Sequence, residues 1–271
     1  MVRTAAPRER RAIAVEWLPM IAWLSKSHAF PPLTKALRDP NGLLAAGGDL
    51  SPERLLAAYS RGIFPWYSPG QPILWWSPDP RMVLFPAEFA PRRSLAKVLR
   101  NREYEVRCDT AFEQVMRNCA GTPREGQDGT WITEEILAGY CGLHARGHAH
   151  SIETWVDGKL VGGLYGVALG RAFYGESMFS HATDASKIAF CHLVRFLHTQ
   201  GCGIIDCQMR TDHLASLGAR EIPRAEFAAH LTELTPRPAM SGWADISRLW
   251  FPAEFPAKFP GGTAHHATED A

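Results

Sequence analysis

The sequence predicts an α/β (α+β) fold: a small N-terminal domain, then a larger domain with a mixed sheet flanked by helices. Three observations carry this. After Arg92, segments with apolar residues at i, i+3, i+4 and i+7 alternate with strand-like runs. Three of those runs, His150–Val156, Leu160–Leu169 and Arg171–Phe179, follow one another with only turn residues between them. Before Arg92, the loop around Trp66, Tyr67, Trp75 and Trp76 is framed by Pro65, Pro69, Pro72 and Pro78, which no regular helix tolerates.

In chain order, the ordered part is expected to begin near Phe30. Ser51-Pro52-Glu53 reads as a helix start, with Leu55, Leu56 and Tyr59 as its buried stripe and Gly62 as its stop. The aromatic loops that follow either plug a small core or present flat faces to a ligand. Ser94 to Asn101 forms a helix, and Asp109 is expected to cap another that carries Phe112, Val115, Met116 and Cys119. Thr133 caps a third, which buries Ile136, Leu137, Tyr140 and Leu143 and ends at Gly147. Asp157-Gly158 and Gly170 turn the three-strand meander. Asp184 opens a long helix to Gly201, a short buried strand covers Ile204–Gln208, and a last helix runs from Arg224 to Leu234. The order helix, helix, meander, helix, strand, helix is that of N-acetyltransferase-like domains. The expected division is a loose arm over 1–29, the small domain over 30–80, the N-acetyltransferase-like domain over 81–252 and a flexible tail over 253–271.

Composition narrows the function classes. With 271 residues, 46% apolar and 21% charged, the chain can bury a sizeable core. A balance of 29 basic to 28 acidic residues excludes a polybasic nucleic-acid coat and an acidic tail protein. Arginine nonetheless outnumbers lysine 23 to 6, and arginine is the better fork for phosphate or carboxylate. The longest apolar stretch, Ala12 to Leu24, is broken by Glu16 and Pro19, so neither a membrane span nor a secretory leader is expected. Six cysteines without a C-x-x-C pair suit reduced thiols and a cytoplasmic location.

The polar residues weaken a CoA-dependent reading. A CoA-dependent acyltransferase needs a glycine-rich turn after the third meander strand, where backbone N–H groups cradle pyrophosphate. Phe179 to Lys187 holds no glycine, and the carboxylate of Asp184 would repel the anion. The densest polar clusters are Gly175-Glu176-Ser177 and Asp206-Cys207-Gln208. Strand alternation places Asp206 and Gln208 on one face, where Glu176 can join them. The bland alternative is that Asp206 caps a turn and Glu176 pairs with an arginine. A carboxylate with a glutamine can orient an amine and take its proton, which suits aminolysis. His144, His148 and His150 do not share a helical face and have no partner at zinc-ligand spacing, so ordinary hydrogen-bonded histidines are expected and no metal. Arg93, Lys97 and Arg100 share one helix face, either a solvated surface or a phosphate track.

Longer strings carry a resemblance. Asn41-Gly42-Leu43-Leu44-Ala45-Ala46-Gly47-Gly48-Asp49, Arg61-Gly62-Ile63-Phe64-Pro65-Trp66 and Trp75-Trp76-Ser77-Pro78-Asp79-Pro80-Arg81 resemble the bacterial leucyl/phenylalanyl-tRNA–protein transferases. So do Gly129-Thr130-Trp131-Ile132-Thr133, Gly162-Gly163-Leu164-Tyr165-Gly166, Gly175-Glu176-Ser177-Met178-Phe179-Ser180 and Asp206-Cys207-Gln208, all in order between Phe30 and Phe251. The resemblance implies transfer of Leu, Phe or, less well, Met from aminoacyl-tRNA to the α-amine of a protein that begins with Arg or Lys. The product is then marked for degradation. It also implies a reaction that needs neither CoA nor any other cofactor, and a monomer is expected. By the same resemblance Trp66 and Trp131 hold the terminal adenosine, and Glu176, Asp206 and Gln208 surround the reacting centre. Met178 lies in the apolar amino-acid pocket, and Phe173 and Ser177 complete the substrate-binding set. Arg93, Lys97 and Arg100 are the expected phosphate contacts. Asp206 is either the base, directly or through Gln208, or a positioning group while the ribose 2′-OH shuttles the proton. A non-catalytic adaptor for tRNA or N-terminal peptides, and a CoA-dependent N-acyltransferase, are the alternatives.

Overall fold

The computed structural model describes residues 21–122 and 130–248. The expectations for most of the arm and for the tail lie outside those residues. What is described of the arm is not loose. Ala22–Leu24 form strand β1, which pairs in parallel with β2 (Leu43–Gly47). The segment between them is held by two arginines forked onto backbone carbonyls. Arg54 donates to Ser25 and Ser27 at 2.7 and 2.9 Å, and Arg61 to Phe30 and Pro31 at 2.7 and 2.8 Å. Order therefore begins before Phe30, through long-range bonds that a local reading does not register.

Strands β3 (Phe64–Pro65) and β4 (Leu74–Trp76) complete a first sheet in the order β1-β2-β4-β3. Between β2 and β3 lies helix α1 (Pro52–Tyr59), capped by the Ser51 hydroxyl on the Arg54 N–H. The aromatic loop plugs the small core with two of its tryptophans. Trp75 and Trp76 are buried and donate their indole N–H groups to the carbonyls of Gly47 and Trp66, whereas Trp66 itself stays half-buried.

The second sheet has seven strands: β5 (Arg81–Leu84), β6 (Glu105–Cys108), β7 (Ala149–Val156), β8 (Lys159–Leu169), β9 (Ala172–Ser180), β10 (Ile204–Asp206) and β11 (Arg220–Ile222). Their order is β11-β5-β10-β9-β8-β7-β6, antiparallel throughout except for the parallel pair β9 and β10. Six more helices accompany it among the described residues: α2 (Arg93–Asn101), α3 (Phe112–Ala120), α4 (Glu134–Ala145), α5 (Ala185–Thr199), α6 (Asp212–Ser216) and α7 (Arg224–Leu234). The meander, its Asp157-Gly158 and Gly170 turns and the final helix stand where the pattern puts them. No described helix is long and apolar enough to cross a membrane.

The sheet is buried on both faces, and the side-chain period of two sorts its residues between two cores. Tyr165, Tyr174, Val83 and Ile204 join the core that contains α1, α3, α4 and the first sheet. Their chain neighbours Leu164, Phe173, Leu84 and Ile205 join the core under α2 and α5.

Two aspartates at helix starts differ from expectation. Asp109 has φ +60° and does not cap α3. The acceptor there is the fully buried Glu153 on β7, whose Oε1 receives the N–H groups of Thr110 and Ala111 at 2.9 and 2.8 Å. Asp109 turns the other way, accepting the Ser151 N–H at 2.8 Å. Asp184 likewise precedes α5 at φ +64° without capping it and pairs with Lys187 at 2.8 Å.

Candidate active site

The pairing of β9 with β10 stops at Tyr174 opposite Asp206, while β9 continues to Ser180. Where the shorter strand ends, a cavity of about 770 Å³ opens. It falls within the roughly 300–1,000 Å³ typical of small-molecule sites. All eight of the expected catalytic and substrate-binding residues line it: Glu176, Asp206 and Gln208, with Trp66, Trp131, Phe173, Ser177 and Met178. Leu164, Phe190, Leu193 and Ile205 add to its apolar wall. Arg93, Lys97 and Arg100 are exposed on α2, whose buried face is Leu95, Ala96 and Leu99, and they do not line the cavity.

Glu176 is turned into the site by a β-bulge. Tyr165 on β8 pairs with Ser177 and the next residue, Gly166, with Gly175, so Glu176 is the extra residue of β9. Gly166 makes the bulge possible, because a Cβ there would lie 2.3 Å from the carbonyl oxygen of Tyr174. The Glu176 carboxylate meets three donors: Tyr59 of α1 at 2.7 Å, Tyr140 of α4 at 3.0 Å and the Gln208 side-chain amide at 3.1 Å. The Tyr59 and Tyr140 hydroxyls also contact each other. Burial pushes the Glu176 pKa up to about 7, against the opposing pull of the two hydroxyls. Burial and the Glu176 charge raise both tyrosines well above their ordinary range, so they stay neutral donors.

Asp206 has a different environment. It is fully buried, and Arg81 of β5 grips both its oxygens, Nε to Oδ1 at 2.7 Å and Nη2 to Oδ2 at 2.6 Å. Oδ1 also accepts the Gln208 N–H at 2.9 Å. Of the bland alternatives, the turn cap is therefore present and the arginine belongs to Asp206; Glu176 bonds to hydroxyls and an amide. Gln208 does not reach the site by strand alternation, because β10 ends at Asp206 and Gln208 stands at φ +62° in the turn beyond it. A left-handed backbone costs a glutamine about 1–3 kcal/mol and persists only where the surroundings impose it.

Arg81, Tyr59 and Tyr140 are the parts of the site that motif reading passes over. Each carries a faint signal: Arg81 stands directly before the apolar run Met82-Val83-Leu84-Phe85, and a tyrosine on a buried stripe must place its hydroxyl somewhere. As for a metal, Cys108, Asp109 and His150 bring ligand atoms within 4.8 Å of one another. But His150 already directs Nδ1 to Asp109 and Nε2 to the Gly147 carbonyl, at 2.7 and 3.2 Å, and stacks on Trp243. Burial drives the Cys108 thiol pKa upward, away from the thiolate a metal binds. His144 stacks on Phe112 and meets the Ala149 carbonyl at 2.8 Å.

The family model described as leucyl/phenylalanyl-tRNA protein transferase matches residues 83–232, and that of its N-terminal domain matches 48–79. The chain belongs to the leucyl/phenylalanyl-tRNA–protein transferase family. The transferase of Chromobacterium violaceum is 65% identical over 214 residues, 79% of this chain and 91% of that one. That of Nitrosomonas europaea is 59% identical over 242 residues, 89% and 98% of the two chains. That of Azoarcus sp. is 63% identical over 233 residues, 86% and 99%. The chain is accordingly an aminoacyltransferase.

Proposed function

We propose that the protein transfers Leu, Phe or, less well, Met from aminoacyl-tRNA to the α-amine of a protein beginning with Arg or Lys, marking that protein for degradation. The observation that carries this is the single cavity wall on which an apolar end, two tryptophans and a hydrogen-bonded carboxylate–amide pair meet. The donor side chain lies against Met178, Phe173 and Leu164, and the terminal adenosine between Trp66 and Trp131, whose faces suit a base. Residues 81–252 form the catalytic part in this reading.

The ester is already activated, so the work is alignment. The amine attacks the carbonyl carbon, a C–N bond forms, the ester C–O bond breaks and the ribose oxygen leaves. One proton passes from nitrogen to that oxygen. Gln208 donates its amide N–H to Glu176, which leaves its carbonyl oxygen to accept from the amine. Glu176 takes up the proton: its pKa of about 7 lies close to the ~8 of an α-amine, so transfer is nearly balanced. Asp206, with both oxygens held, acts as a positioning group.

Incubation with Phe-tRNA labelled in the amino acid and a peptide beginning with Arg tests the reading. Label in the peptide is the expected result. Label retained on the protein without transfer makes it an adaptor, and saturable acetyl-CoA binding makes it a CoA-dependent acyltransferase.

A further inference from the structure

We propose that Arg81 is a positioning residue of the transfer reaction, acting through Asp206 on the backbone of Gln208. The inference rests on the transfer reading above. Arg81 is fully buried. Its guanidinium carbon lies over the Phe64 and Phe227 rings, 4.9 and 4.7 Å from their centroids, and Asp206 takes Nε and Nη2 through two bonds of 2.7 and 2.6 Å. Two aromatic faces and one carboxylate suit a planar, delocalised cation and not a lysine.

The clasp ends on the reacting group. Asp206 Oδ1, fixed by Arg81 Nε, accepts the Gln208 N–H at 2.9 Å. Met82, the residue after Arg81, closes the same turn from the other side. It accepts the Cys207 N–H at 2.9 Å and donates its own to the Gln208 carbonyl at 3.1 Å. These bonds impose the left-handed backbone that brings Gln208 Nε2 to Glu176. Without Arg81 the buried carboxylate has no counter-charge and must take a proton or turn toward water. Either way Oδ1 no longer holds the Gln208 N–H, and the turn relaxes toward backbone angles that glutamine prefers. Phe64, one face of the clasp, also lines the cavity two residues before Trp66, so the guanidinium braces both edges of the site.

Arg81→Met and Arg81→Lys, each alone and combined with Gln208→Ala, test this in the full chain. Arg81→Met should lower kcat for Phe transfer by about 10²-fold, the loss expected from misplacing an aligned group, and leave the KM for Phe-tRNA within about threefold. Arg81→Lys, which keeps the charge and loses the fork, should recover part of the rate. In the Gln208→Ala background Arg81→Met should cost less than about twofold more, because its route to the chemistry is already gone. Equal fold-losses in the two backgrounds would overturn the inference. A second readout needs no substrate: hydrogen exchange of the Gln208 amide, measured by NMR, should quicken at least about tenfold in Arg81→Met. Unchanged exchange overturns the positioning role whatever the transfer assay shows. Faster exchange in a protein whose wild type transfers nothing overturns the functional reading alone. Should Arg81→Met unfold, Arg81→Lys carries the same comparisons.

Discussion

Gln208 Nε2 lies 3.1 Å from Glu176 Oε1, so a residue in a left-handed turn and the extra residue of a β-bulge form one polar unit. Both occupy irregular backbone, where the regular ladder of the sheet is interrupted. The site thus sits where the ladder of the sheet breaks, and its parts are testable one at a time.

Glu176 should make the protein less stable as pH rises. Its folded pKa of about 7 lies above the ordinary carboxylate value of 4.5, so the folded state holds a proton that the unfolded state has lost. Stability from this group is therefore complete below the unfolded value and declines as pH climbs from there toward 7. Glu176→Gln imitates the protonated form and should flatten that slope, gaining about 1–3 kcal/mol over wild type above neutrality. Thermal melts of both proteins across this window read it; parallel curves would contradict it.

Gly166→Val should collapse the bulge. Its side chain would meet the Tyr174 carbonyl and the Phe173 ring, both within 2.6 Å of the first added carbon. A loss of more than about 4 kcal/mol is expected for a clash with buried backbone. Urea unfolding should report it, together with loss of Phe transfer in whatever remains folded.

Much of the fold was legible in the sequence because it rests on local signals. The α4 start at Thr133, the Asp157-Gly158 turn and the meander strands follow from caps, turn residues and apolar period. The misses share a different cause. β1 depends on arginine forks across more than twenty residues, and the α3 cap comes from Glu153 on a distant strand. Within the site the residue types were visible in the motifs, but their relations were not. That Arg81 holds both oxygens of Asp206 is a pairing 125 residues apart in sequence. A bulge and a positive φ at glutamine leave no periodic mark at all.

Met178→Ala should enlarge the apolar end of the cavity and lower kcat/KM for Leu- and Phe-tRNA by about 1–3 kcal/mol in transition-state terms. Leu, Phe and Met share an unbranched Cβ, whereas Val and Ile are stiff there. Ile-charged tRNA should stay a poor donor in wild type and variant alike. Equal use of Ile and Leu by wild type would move specificity from this pocket to the tRNA.

Replacing Arg93, Lys97 and Arg100 with glutamine should weaken binding of full-length aminoacyl-tRNA and reduce its salt dependence, by a slope of about 0.7–0.9 for each phosphate no longer neutralised. A minimal aminoacyl-adenosine donor should be used as before, since the three side chains stand away from the cavity. Similar losses for both donors would assign the helix face a structural role.

The most direct test of the mechanism is the single-turnover rate of Phe transfer from about pH 6 to pH 9, for wild type, Glu176→Gln and Asp206→Asn. If Glu176 takes the proton, wild type shows an ionisation near its pKa of about 7 beside that of the acceptor amine near ~8. Glu176→Gln should be slower and keep only the amine's ionisation. Asp206→Asn should be slower at every pH with both ionisations in place, as a positioning group requires. A Glu176→Gln profile that retains the lower ionisation, or an Asp206→Asn profile that loses it, would contradict the account and return the proton to Asp206.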